Sequence, residues 1–294
     1  MYAPVLIQEK TLEFIEANKD QPFFCYVPHV VPHAEMFAPE EYMAGFRGKF
    51  PPEKPYEGAD EGHPRYRMGS YGSQSEGHAA FAEMVTMLDE HVGQIVAKVK
   101  ELGLEETTLI IFTSDNGPHQ EAGHDPAYFN CNGGLRGVKR DLYEGGIRVP
   151  MIASWPGVIE AGSESDHTSA FWDVFPTLAE VAGATSSPSI DGISFLPSLT
   201  GDGEEIQHPY LYWEFHERGG RQGILKGNWK GVKYDINKIP HAPLELYDLS
   251  KDPLEESNVA YRFPEVIAEL ESLMREANTP SPIEKFNFSP PSGE

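Results

Sequence analysis

Cysteine is almost missing from this chain. Cys25 and Cys131 are the only two among 294 residues, too few for a disulfide framework and compatible with ordinary buried thiols. Cations are scarce too: Lys and Arg number 23 against 46 Asp and Glu, a formal charge of −23. That excess repels phosphate backbones and excludes a general nucleic-acid surface. Its plain consequence is solubility, and an anionic small substrate requires a local cationic pocket that overrides the global field. No apolar run reaches the roughly 18 residues of a membrane span. Met1-Tyr2-Ala3-Pro4 leads into a helix-like segment without a signal-peptide pattern, which is informative only if residue 1 is the natural start.

What is present suffices for a core. Apolar residues make up 39% and aromatics 11%, which excludes general disorder. Residues 4–19 read as a helix on which Leu6, Ile7, Phe14 and Ile15 share a face. Residues 23–27 (Phe-Phe-Cys-Tyr-Val) read as a buried strand, and 37–74 as a long aperiodic loop with Pro51, Pro52, Pro55 and Pro64. Phe81, Val85, Leu88, Val92, Ile95, Val99 and Leu102 predict a helix over 75–102, stopped by Gly103. The β-branched run 107–113 then predicts a buried strand, 149–155 another, and 170–182 a further helix. Helix, short connection, apolar strand is the α/β order, with a mostly parallel sheet. Beyond a boundary near Gly201-Asp202-Gly203, the segments 210–215, 223–234 and 244–249 read as an antiparallel sheet, followed by a helix over 264–277.

Three constellations carry chemistry. The strand 107–113 ends in Ser114-Asp115-Asn116-Gly117-Pro118, and ligands gather beyond the carboxyl ends of strands in open α/β sheets. A carboxylate beside an amide oxygen suits Ca²⁺ or Mg²⁺ better than zinc, although Asp-Asn-Gly-Pro is also ordinary turn chemistry. The second is the glycine-rich segment 134–150, with Arg136, Lys139 and Arg140 inside five residues. It reads either as an anion pocket or as a charged loop with local salt bridges such as Glu144 with Arg148. The third is Pro28-His29-Val30-Val31-Pro32-His33, where a histidine can donate to an anion or a leaving group or be merely structural. His119 has the same standing.

Together these pieces resemble the sulfatases of the alkaline-phosphatase-like superfamily. The likeness is carried by Pro22-Phe23-Phe24 to His33, Thr113 to Gly117, and Gly137-x-Lys139-x(4)-Glu144-Gly145-Gly146-x-Arg148-x-Pro150. Trp155-Pro156-Gly157, Asp173-x-x-Pro176-Thr177-Leu178 and Leu246-Tyr247-Asp248-Leu249-x(2)-Asp252-Pro253 extend it. The resemblance implies an α/β, alkaline-phosphatase-like sandwich with a mostly parallel central sheet flanked by helices, plus a small C-terminal α+β domain with an antiparallel sheet. On that layout, 1–205 is the C-terminal part of the catalytic α/β domain, 206–278 the small domain and 279–294 an extended tail. It also implies that Asp115 and Asn116 are metal ligands, for Ca²⁺ in preference to Mg²⁺. Lys139 would bind the sulfate oxygens, and His33 would contact the ester and help protonate the leaving oxygen. Cleavage spreads negative charge over those oxygens, which a cation, an ammonium and an imidazole stabilise. The substrate would be a small-molecule or carbohydrate sulfate ester, and the location periplasmic or secreted. No role is implied for His119 or Arg136.

The chain departs from the family at the nucleophile. Formylglycine is expected there, made within Cys/Ser-x-Pro-x-Arg, yet Cys25, Cys131 and Ser186-Ser187-Pro188-Ser189-Ile190 do not fit that motif. The early Asp-Asp ligands and the Lys and His element near the nucleophile are also absent, whereas Ca²⁺ takes about 6–8 oxygens. The expectation is therefore a chain lacking the N-terminal nucleophile half, inactive alone, weak for Ca²⁺, aggregation-prone through uncovered sheet surface, and partnered by that half. A phosphatase or phosphodiesterase of the same superfamily and a non-catalytic remnant are the alternatives. Asn116, where a two-zinc site would use His, favours sulfate over the phosphatase.

Overall fold

The computed structural model describes residues 2–185, 189–239 and 241–288; Ser186-Ser187-Pro188, weighed above as a nucleophile motif, lies outside them. The chain divides into two compact units. One holds Met1–Ile111, His119–Cys131 and Ser154–Val158, and the other Phe112–Pro118, Asn132–Ala153 and Ile159–Glu294.

In the first unit α1 (Ala3–Ala17) carries Pro4 in its first turn, where the missing N–H is harmless. Its buried face is Pro4, Gln8, Thr11 and Ile15. Leu6 and Phe14, expected inside, are about two-fifths exposed. Polar residues take the inner face because they find partners there: Gln8 Nε2 donates to the His91 carbonyl and to Gln94 Oε1, both at 2.9 Å. A single turn, α2 (Glu40–Met43), interrupts the proline-rich stretch. The long α3 (Gly77–Glu101) follows and buries Ala80, Met84, Met87, His91 and Val99. Over 80–91 this stripe lies one residue behind the expected Phe81-Val85-Leu88-Val92 stripe; Val99 is common to both, Phe81 and Leu88 pack at the core's edge, and Val85 faces out. The small side chains of Ala79 and Ala80, beside Met84, let α3 pack closely on Val31, Met36, Ala38 and Met43. Residues 23–27 are in no strand. Phe24 and Tyr26 are 70% and 68% exposed, so the expected buried strand is corrected: no strand among the described residues pairs with it.

The strands β1 (Ile110–Thr113) and β2 (Met151–Ser154) form a two-stranded sheet, and within the second unit Thr113 Oγ1 donates to the Pro150 carbonyl at 2.9 Å. The larger parallel sheet expected from the sequence is not among the described elements. Between the two strands lies the short α4 (Glu144–Ile147); α5 (Val174–Val181) and α6 (Leu196–Thr200) come after β2. The Asp173-x-x-Pro-Thr motif is a structural knot. Asp173, 1% exposed, accepts from the Ala170 and Ile193 N–H groups and contacts His208 Nε2 at 2.8 Å.

A four-stranded antiparallel sheet completes the unit in the order β3 (Leu211–Phe215), β4 (Arg221–Lys226), β5 (Trp229–Tyr234) and β6 (Glu245–Asp248). The apolar stretch 223–234 is thus a hairpin of two strands, with Ile224 opposite Gly231 and Gly231 opposite Leu246. Gly231 leaves room where a Cβ would press on Ile224, Leu244 and Leu270 at 3.1–3.2 Å. On that face α7 (Pro264–Ala277) packs Leu270 and Met274 against Ile224, Leu244 and Leu246. The opposite face carries Val232 and Tyr247, covered by Leu142 and Tyr143. The glycine-rich segment therefore lies against this sheet.

Candidate active site

Main-chain hydrogen bonds organise the candidate loops of the second unit. Beyond β1 the chain turns at Ser114–Pro118, where Ser114 Oγ donates to the Asn116 carbonyl at 3.1 Å. The Gly117 N–H donates to the Gly146 carbonyl at 2.9 Å, and the Lys139 N–H to the Pro118 carbonyl at 2.8 Å. Two loops far apart in sequence are thus stitched by peptide groups. The stitch requires glycine, because a Cβ on Gly117 would strike the Gly145 carbonyl.

Asp115, Asn116 and Lys139 consequently fall in one region of the second unit. Asp115 is exposed and has no hydrogen bond or ion pair among the described residues. The Asn116 amide nitrogen donates to the Gly117 carbonyl at 3.1 Å, leaving Oδ1 uncommitted. Lys139 is half-buried, and its ammonium has no carboxylate partner among the described residues. These donors suit a hard cation and an anion in chemistry, yet two side chains undersupply calcium. Among the described residues no group of three or more His, Cys, Asp or Glu could hold a metal ion.

Of the other two cations of the cluster, Arg136 is committed to partners of its own. The Arg136 guanidinium donates to the Tyr247 hydroxyl and the Glu255 carbonyl, both at 2.8 Å, and to the Tyr143 hydroxyl at 2.9 Å. It also lies 3.8 Å from the Tyr143 ring centroid. Arg140 has a left-handed backbone at φ 78°, and its carbonyl accepts from Arg221. The expected Glu144–Arg148 bridge forms at 2.7 Å.

Behind it lies a cluster that sequence reasoning missed. The wholly buried Lys230 ammonium meets Glu144 at 2.7 Å. Burial opposes the charge on Glu144, but Lys230 and Arg148 outweigh it and hold the carboxyl below its ordinary range. Glu255 accepts from the Glu144 N–H at 2.7 Å, and burial pushes its carboxyl up to about 7. A solvated strand lysine gives no sequence signal that it will be buried. The one hint was Glu144 inside an otherwise glycine-rich motif.

His33 belongs to the first unit. Its Nδ1 lies 2.6 Å from the Ala34 carbonyl, so Nδ1 carries the proton and Nε2 is left for other chemistry. The ring leans on His119, centroids 5.2 Å apart. His119 Nε2 in turn reaches the Pro32 carbonyl at 3.0 Å, and its Nδ1 accepts the Glu121 N–H at 3.1 Å. His119, which carried no expected role, therefore braces the segment that bears His33. His124 continues the stack, 4.9 Å from His119 and 3.9 Å from Phe81. Burial, helped by His119, pushes it down to about 4, so it is neutral near pH 7. The spacing of His119 and His124 in one loop was the available sequence signal.

The Sulfatase family profile matches residues 5–184, and that of the N-sulphoglucosamine sulphohydrolase C-terminal region matches residues 137–279. Arylsulfatase A of Homo sapiens is 34% identical over 235 residues, covering 72% of this chain and 45% of its own length. Steryl-sulfatase of Rattus norvegicus is 33% identical over 279 residues, covering 83% and 42%. The chain spans less than half the length of these two relatives. A solved structure described as in complex with its substrate D-glucosamine-2-N,6-O-disulfate superposes with a TM-score of 0.72 at 21% identity, covering 94% of this chain and 69% of that one.

Proposed function

This chain belongs to the sulfatase family, and we propose that it supplies the second half of a sulfate-ester hydrolase site. In this reading Asp115 and Asn116 offer oxygens to a divalent cation, calcium in preference to magnesium, because both donors are hard. When bound, such a cation supplies fixed positive charge beside the ester oxygens. Lys139 holds a non-bridging sulfate oxygen with its uncommitted ammonium. His33, with its Nδ1–H held on the Ala34 carbonyl, acts as the acid at the leaving oxygen in its imidazolium form: the second proton, on Nε2, passes to that oxygen and leaves the neutral ring. The observation that carries the reading is the pair of main-chain ties, Gly117 to Gly146 and Lys139 to Pro118, which join the backbones bearing the hard-oxygen pair and an ammonium without a carboxylate partner among the described residues.

The substrate class proposed is a sulfated carbohydrate or aryl sulfate. A structural neighbour holds a sulfated glucosamine, and the family relatives are sulfatases. The 294 residues contain no Cys/Ser-x-Pro-x-Arg motif, so in this reading the nucleophile and the remaining acidic ligands lie outside them. The test is hydrolysis of an aryl sulfate and a sulfated glucosamine. The purified chain is assayed alone and with a separately expressed sulfatase segment bearing a converted formylglycine. No turnover alone and Ca²⁺-dependent turnover with the segment are expected, lost in Lys139→Met. Robust turnover by the chain alone, or none in the mixture, overturns the proposal.

A further inference from the structure

The C-terminal sheet reaches the Asp115–Lys139 region through one buried polar chain. Lys230, on the central strand β5, donates to Glu144 Oε1, and Arg148 donates to Oε2, both at 2.7 Å. Glu144 opens α4, and its own N–H is received by Glu255 Oε2 at 2.7 Å. The next residues form the strap. The Gly145 N–H donates to the Arg136 carbonyl at 2.7 Å and the Gly146 N–H to the Tyr143 carbonyl at 2.9 Å, while the Gly146 carbonyl receives Gly117. Carbonyls of Arg136, Gly137, Val138 and Asp141 crowd the two glycines so closely that neither tolerates a Cβ.

Packing alone does not explain these carboxylates. Glu144 is 4% exposed, and Glu255 and Lys230 are fully buried. Among the described residues Glu255 Oε1 has no hydrogen-bond partner, an arrangement that costs stability where an apolar side chain would not. Buried ion pairs are often no more stabilising than apolar residues of similar shape, and fixing a register is their best-attested use. Glu255, 111 residues away in sequence, also receives Arg136 on its main-chain carbonyl. It thus grips both ends of the segment that carries Lys139.

We propose that Glu255 and Glu144 are positioning residues for the Asp115–Asn116 turn and Lys139, setting the Gly145–Gly146 strap that receives the Gly117 N–H and so, through Pro118, the Lys139 backbone. This rests on the reading of those three residues as a site. The test needs neither metal nor turnover, so the failure of that reading and the failure of this one are separable. Amide hydrogen exchange is measured by NMR on the full chain and on Glu255→Leu and Glu255→Gln. Glu255→Leu removes the acceptor. Protection at Glu144, Gly117 and Lys139 should fall by about tenfold or more, while Ile224 and Val232 in the sheet keep theirs. Glu255→Gln retains an acceptor oxygen and should restore wild-type protection at those three amides. Unchanged protection of Gly117 and Lys139 in Glu255→Leu, a loss shared equally by the sheet, or failure of Gln to restore it overturns the proposal. Should Glu255→Leu not fold, Glu255→Asp, one methylene short of the Glu144 N–H, is read on the same amides with the same criteria.

Discussion

Glu83 and His124, both in the first unit, titrate in opposite senses. Glu83 is 3% exposed, and its Oε2 has no hydrogen-bond partner among the described residues. Burial, then the nearby Glu90, pushes its carboxyl up to about 7 from an ordinary 4.5. The unfolded chain therefore loses this proton first, and the contribution of Glu83 to stability falls as pH rises from 4.5 to 7. His124, pushed from 6.5 to about 4, works the other way: the unfolded chain gains the proton first, so stability falls as pH drops from 6.5 to 4. Urea unfolding between these limits separates them. Glu83→Gln should gain roughly 1–2 kcal/mol relative to the parent near pH 8 and little at pH 4. His124→Phe, which keeps the stack on Phe81, should gain at pH 4.5 and not at pH 8. Equal shifts at both pH values would remove titration as the cause. For Gly117→Ala the expected loss is about 1–3 kcal/mol by thermal unfolding, because the new Cβ meets the Gly145 carbonyl. A neutral result would mean the stitch between the loops yields easily.

Among the elements, α7 was legible to the residue: Pro264 starts it and Ala277 ends it, because proline at the first turn and an amphipathic stripe are local signals. Leu270→Ala should lower stability by about 2–5 kcal/mol in denaturant titration, since Leu270 fills the space above Gly231 between Ile224 and Leu244. The period of α3 was legible, but its facing was not. Ala79 and Ala80 are too small to mark an apolar stripe, yet close packing selects them. The same holds for Gln8 and Thr11 on α1, whose inward turn depends on acceptors more than eighty residues away or on their own helix. Residues 23–27 had the composition of a strand. A strand exists only with a ladder partner, however, and composition cannot supply one. At the candidate site, Asp115, Asn116 and Lys139 were named as candidates from contiguous motifs. Lys230 and Glu255 were not, because their importance comes from whom they meet.

For the molecule as a whole, a charge of −23 keeps copies apart, while the surface carries apolar side chains that favour association. Phe24 and Tyr26 in the first unit, and Ile152 and Phe175 in the second, are all more than 60% exposed. Screening shifts the balance: raising salt from about 0.1 M to about 1 M shortens the reach of the repulsion from roughly 10 Å to 3 Å. Light scattering should then show growing self-association, reduced in a Phe24→Ser/Tyr26→Ser double variant. Salt-independent scattering would mean those side chains do not drive it. The bond from the Lys139 N–H to the Pro118 carbonyl has its own use. Since a peptide group makes it, exchanging the side chain at 139 leaves the anchorage intact. Arginine, methionine or glutamine can replace the lysine one after another on an unmoved scaffold, so a change in anion affinity among them reports the head group itself.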